Sequence, residues 1–213
     1  MPQTIAVDQR DALLAIDMQN DFMPGGALAV ADGDAIVPLI NRLMQDFVNV
    51  VLTQDWHPPG HVSFASSHPG ARLFDVIETP YGSQALWPDH CVQGGPGAAL
   101  HARLASDRAI LILRKGCRRA VDSYSAFAEA DRETSTGLAG FLRDRGVRRV
   151  FVCGLATDYC VAWSACDARA GGFETLVIED ACRAIDANNS VEQAWAKMEA
   201  AGVVRIRSDG LAA

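Results

Sequence analysis

Short apolar blocks alternate along this chain with stretches whose apolar positions recur every three or four residues. Ala12–Ile16 is the first block and reads as a strand. Residues 35–47 place Ile36, Leu39, Ile40 and Leu43 on one face, the signature of a helix. Val48–Thr53 reads as a second strand and Ala109–Leu113 as a third, with a helix expected near Ala98–Leu104. Leu138–Arg145 reads as a helix closed by Gly146. Val150–Cys153 follows as a strand, and Thr157 or Asp158 can cap a helix that runs to about Ala170 before Gly171 and Gly172. Thr175–Ile178, a helix over Val191–Ala200, and Val203–Ile206 complete the pattern.

Strands that alternate with helices imply right-handed crossovers and a parallel sheet covered on both faces. The expected architecture is a three-layer α/β/α domain spanning residues 1–213, built on a mostly parallel six-stranded sheet. In such sheets the ligand crevice lies beyond the carboxyl ends of the strands. Asp17, Asp55, Lys115 and the segment Gly154–Cys160 all follow predicted strands, so all should gather at one rim. Residues 55–97 show little periodicity and many Pro, Gly, Ser and His residues, which marks a long binding loop.

Bulk properties narrow the function. A net charge of -7 argues against a nucleic-acid partner, and the cluster Arg143, Arg145, Arg148 and Arg149 reads as a solvated helix end. No apolar run approaches the ~18 residues of a membrane helix, so no membrane partner is expected. Met1–Arg10 lacks the apolar core of a signal peptide. The six cysteines form no C-x-x-C pair, which fits reduced thiols in a cytoplasmic protein. A homo-oligomer is compatible with all of this.

Asp55 and His57 lie two apart on extended backbone, so both side chains point the same way and can grip a divalent cation. His90 is the natural third ligand, and one carboxylate with two imidazoles suits zinc, iron or manganese. His61 is expected to support these ligands or to join them. Cys160 should open a helix, where unpaired amides favour a thiolate and can hold an oxyanion. A thiol nucleophile needs a base and a balancing cation, roles open to Asp17 and Lys115. Phe22, Trp87 and Tyr124 flank these motifs and offer walls for a flat ring. Cys153, Cys166 and Cys182 read as inert packing residues.

The segments Asp17–Phe22, Gln54–Pro58, Trp87–Val92, Lys115–Gly116, Asp122–Phe127 and Gly154–Val161, in this order, resemble the nicotinamidase (pyrazinamidase) branch of the isochorismatase-like hydrolases. The resemblance runs nearly end to end. It implies an isochorismatase-like fold and a catalytic triad of Asp17, Lys115 and Cys160. It also implies one divalent metal on Asp55, His57 and His90, with zinc ahead of iron or manganese. A cis Leu155–Ala156 peptide and an oxyanion site at the amides of Ala156 and Cys160 come with it. The activity implied is hydrolysis of nicotinamide, and of pyrazinamide, through a Cys160 thioester in NAD salvage. The alternatives are another isochorismatase-like amidase acting on a different small amide, or a non-catalytic zinc or thiol-redox module.

Overall fold

The computed structural model describes residues 4–212, so the first three residues of the signal-peptide reading lie outside the described residues. Its strands are β1 (Ile5–Ala6), β2 (Asp11–Ile16), β3 (Asn49–Asp55), β4 (Val76–Thr79), β5 (Gly82–Ala85), β6 (Leu111–Lys115), β7 (Arg149–Leu155), β8 (Glu174–Arg183), β9 (Val204–Ile206) and β10 (Leu211–Ala212). The helices are α1 (Val37–Asp46), α2 (Leu138–Asp144), α3 (Ala162–Ala170) and α4 (Ser190–Ala200).

Six of the strands form one sheet in the order β6-β3-β2-β7-β8-β9, every pair parallel. All six residues of β2 and all seven of β3 are buried, as expected for central strands covered on both faces. The chain steps one way from β2 to β3 and the other way from β7 to β8, so right-handed crossovers put α1 on one face and α3 and α4 on the other. That reversal beside β2 creates the crevice at the carboxyl ends. β1 pairs with β10, and β4 with β5 as an antiparallel hairpin. No helix among the described residues is long and apolar enough to cross a membrane.

The expected strands are present, most of them longer than their apolar cores, because polar residues such as Gln54, Asp55 and Lys115 continue the ladder. The helix expected near Ala98–Leu104 is not there; a single 3-10 turn occupies Pro96–Ala98. The carbonyl of Ala98 instead accepts from the side-chain amides of Gln19 and Gln54, each at 2.9 Å, and that of Ala99 from the Asn20 amide at 3.0 Å. Tertiary donors have taken the acceptors a helix would use.

Two further expectations change. Neither Thr157 nor Asp158 caps the helix that follows; that helix opens with a π turn over Thr157–Val161. Asp158 instead accepts from the amides of Ile185 and Asp186 and from the Ser190 hydroxyl, tying down the start of α4. The arginine cluster is not simply solvated. Arg149 grips Asp11 with two hydrogen bonds at 2.8 and 2.6 Å, Arg145 bonds Asn49, and Arg143 caps the Gly171 carbonyl. The long loop of residues 55–97 is organised by the β4–β5 hairpin and by parallel bridges His57–Val92 and Phe64–Trp87.

Candidate active site

The end of β2 delivers Asp17, the end of β3 delivers Asp55, β6 ends on Lys115, and the turn after β7 carries Cys160. Neighbouring parallel strands in register therefore bring four reactive side chains from distant positions to one rim, all of them buried.

Lys115 is the hub. Its ammonium donates to Asp55 Oδ1 at 2.5 Å, to the Ser123 carbonyl at 3.0 Å and to Cys160 Sγ at 3.3 Å. Asp17 Oδ2 lies 2.9 Å from the same nitrogen, a fully buried ion pair. The other Asp17 oxygen accepts from the Thr53 hydroxyl at 2.6 Å, and Thr53 Oγ1 in turn accepts from the Asp17 amide at 3.0 Å. Acceptor atoms of Asp17, Asp55 and Cys160 all fall within 4.8 Å of one another. A buried carboxylate thus sits beside a thiol, and both contact the same ammonium.

Burial sets the charges. It lifts the Asp17 carboxyl above the usual carboxylate range against the pull of Lys115, and pushes the Cys160 thiol well up despite the same cation. Burial also opposes the Lys115 charge, but Asp17 and Asp55 outweigh it and hold the ammonium well above its ordinary value. For Asp55 the burial penalty is overcome by Lys115 and His57, which hold it far below the usual range. The resulting arrangement sets a thiol beside an ammonium and beside a carboxylate whose proton affinity burial has raised.

Asp55, His57 and His90 form the second centre. Asp55 Oδ2 lies 3.8 Å from His57 Nε2 and 3.9 Å from His90 Nε2. Each imidazole turns its Nδ1 to a backbone carbonyl, Gly116 for His57 at 3.0 Å and Pro88 for His90 at 2.8 Å. A carbonyl can only accept, so both Nδ1 atoms carry a proton and both Nε2 atoms are turned toward Asp55. That donor set fits a divalent cation. Burial and the neighbouring His57 push His90 down to about 4, so its lone pair is free at neutral pH. Gly116 leaves space for His57: a Cβ there would stand 2.6 Å from its Nδ1. His61 stacks on His57 with centroids 4.2 Å apart, and its nitrogens face Ser63 Oγ and the Val121 carbonyl. The structure thus places His61 against the cluster, as a wall behind His57.

Both centres open on one pocket with about 340 Å³ of unfilled space, mouth included. Phe22, Trp87 and Tyr124 line it, as expected, together with Leu28, Tyr159, Ile185 and Ala156. Trp87 Nε1 donates to the Tyr124 hydroxyl at 2.9 Å, which fixes both rings. The Leu155–Ala156 peptide is cis. The amides of Tyr159 and Val161 donate to the Ala156 carbonyl, and those of Ala156 and Cys160 take no part in these turn bonds.

Sequence reading missed the residues that hold the reactive ones. Gln19 clamps the Asp55 backbone, donating to its carbonyl at 2.8 Å and accepting from its amide at 2.7 Å. Thr53 was legible in principle, because it shares a strand face with Asp55 two residues on. Leu28 and Ile185 carry no sequence signal that marks them as pocket residues.

Comparison with known proteins places this architecture. The isochorismatase domain family matches residues 11–209. A nicotinamidase of Acinetobacter baylyi is 57% identical over 197 residues, covering 92% of this chain and 92% of that protein. The solved structure of a nicotinamidase/pyrazinamidase of Acinetobacter baumanii superposes with a TM-score of 0.94 at 58% identity, covering 95% of this chain and 98% of that one. The structure of a pyrazinamidase of Pyrococcus horikoshii in complex with zinc aligns with a TM-score of 0.75 at 37% identity, covering 93% and 99% of the two chains.

Proposed function

This chain belongs to the isochorismatase family, and we propose that it is a nicotinamidase, a cysteine amidohydrolase that converts nicotinamide and water to nicotinate and ammonia. Pyrazinamide is a second substrate in this reading, and NAD salvage the setting. The single observation that carries the mechanism is the buried grouping of Asp17 and Cys160 around the Lys115 ammonium, at 2.9 and 3.3 Å from its nitrogen.

The ring lies among Phe22, Trp87 and Tyr124 with its carboxamide toward Cys160. Asp17 Oδ2 takes the thiol proton as the sulfur attacks the carboxamide carbon. The amides of Ala156 and Cys160 hold the oxyanion of the tetrahedral intermediate. Asp17 returns the proton to the departing nitrogen, ammonia leaves, and a nicotinoyl thioester remains on Cys160. Water then attacks that thioester, Asp17 accepts its proton, and the thiolate departs and is reprotonated as nicotinate is released. Lys115 stays charged throughout and offsets the negative charge on Asp17 and the sulfur. A divalent cation, zinc ahead of iron or manganese, would be held by Asp55, His57 and His90 and supplies a Lewis acid for a ring nitrogen or a water.

In this reading residues 1–213 form one hydrolase domain, supported by the family match over residues 11–209 and one continuous buried core. A cytoplasmic setting, where the thiol nucleophile stays reduced, belongs to it as well.

Ammonia release from nicotinamide tests the proposal. Replacing Cys160 (Cys160→Ala) is expected to lower kcat by roughly 10⁴-fold or more while bound metal stays at the unaltered level. Nicotinaldehyde is expected to add its mass to the peptide that carries Cys160. Turnover that survives Cys160→Ala would overturn the assignment.

A further inference from the structure

We propose that Asp21 is a positioning residue for the metal-ligating cluster, acting on His90 and His57 through the backbone of Cys91. The inference rests on the metal reading given above. Asp21 does not line the pocket, so any effect on the chemistry must pass through another residue. Its Oδ2 accepts from the Cys91 amide at 2.7 Å, a short charge-assisted bond across 70 positions of sequence. The Cys91 carbonyl in turn accepts from the His57 amide at 3.0 Å, and the Gln93 amide returns to the His57 carbonyl at 2.9 Å. One residue, Cys91, therefore joins the segment that carries His57 to the segment that carries His90 and to Asp21.

Cys91 has φ +46°, in the left-handed region that residues other than glycine rarely enter. Rotation about its N–Cα bond sets the angle between the His90 peptide and the carbonyl bound to His57. The φ value at Cys91 thus decides how the two imidazoles stand relative to each other, and the Asp21 bond holds that value. The seat for the carboxylate is prepared by Gly97, where any Cβ would fall on the Asp21 carboxylate itself. The same turn braces His90 a second time, since the Phe22 ring packs edge-on against it with centroids 5.6 Å apart. Asp21 lies outside the central sheet, so nothing in the strand ladder requires an acid at this position.

The test is zinc affinity, measured on the full metal-free chain by competition with a chromophoric chelator. Asp21→Ala is expected to weaken zinc binding ~10- to 100-fold, the usual cost of losing a residue that orients a ligand. Asp21→Asn keeps an acceptor oxygen and should lose less. Adding Cys91→Gly to Asp21→Ala should recover part of the affinity, because glycine enters a positive φ without the strain that cysteine meets there. A merely structural role would lower the melting temperature of the metal-free chain and would show no such rescue. Affinity unchanged in Asp21→Ala, or a loss that neither Asn softens nor Cys91→Gly reduces, overturns the role. His90→Ala separates the two levels: if it binds zinc as tightly as the unaltered chain, the metal assignment falls and the role with it. If only Asp21→Ala is without effect, the assignment stands and the role alone is wrong.

Discussion

Asp17 shows how much of this chemistry is decided atom by atom. One of its oxygens accepts from Thr53 and the other pairs with the Lys115 ammonium at 2.9 Å, and the proposed function makes it the base for Cys160. Burial raises its proton affinity, and the Thr53 bond lowers it. A base must be ionised to act, so kcat/KM should fall as pH drops through the Asp17 value, along a limb above the ordinary aspartate value of about 3.9. Thr53→Val keeps the shape and removes the bond. The expected outcome is an acid limb displaced to higher pH, with about 1–3 kcal/mol less stability from the uncompensated buried oxygen. A pH–rate profile and a urea melt check the two effects, and an unmoved limb would deny Asp17 the role of base.

At the scale of elements, the site depends on how closely β7 approaches β2. Gly154 has φ +111°, and a Cβ there would stand 2.6 Å from the Ile16 amide nitrogen, one residue before Asp17. The register of β7 against β8 also shifts at this point. Gly154→Ala must push the two strands apart or distort both. The expected cost is at least about 2 kcal/mol, with a drop in kcat out of proportion to the change in KM. Denaturant unfolding and steady-state kinetics on the folded fraction check it. The turn at Pro96–Ala98 teaches the converse. Helical periodicity after it was real in the sequence, but Gln19, Gln54 and Asn20 claimed its carbonyls. Periodicity records which positions can be buried, not which donors will arrive.

For the whole molecule, a parallel sheet separates chemistry from support. The reactive groups stand at the carboxyl ends of the strands. At the other end Arg149 and Asp11 join the first residues of β7 and β2, with Arg149 also donating to the Ala6 carbonyl at 2.7 Å. Arg149→Met should destabilise the fold by about 1–3 kcal/mol, reduced from the full cost of breaking a buried pair because Arg149 is partly exposed. At 25 °C the folded enzyme should keep its kcat/KM within about twofold. A melting curve beside a kinetic assay checks this, and a large change in kcat/KM would show that the two ends are coupled.

The amino-acid sequence alone determined the layered α/β architecture, because buried parallel strands need unbroken apolar runs and the helices between them need an apolar stripe. It also marked Asp17, Asp55, His57, His90, Lys115 and Cys160 as candidates, because their motifs stand at strand ends or in the long loop beside them. Tertiary structure alone decided which oxygen of Asp17 meets Thr53 and which meets Lys115, which acceptors share the Lys115 ammonium, and that Gln19, Thr53 and Asp21 bond Asp55, Asp17 and Cys91. The physical reason is range. Hydrophobic periodicity is a local property of the chain, whereas a hydrogen bond between residues tens of positions apart exists only after packing has fixed both partners to within a few tenths of an ångström.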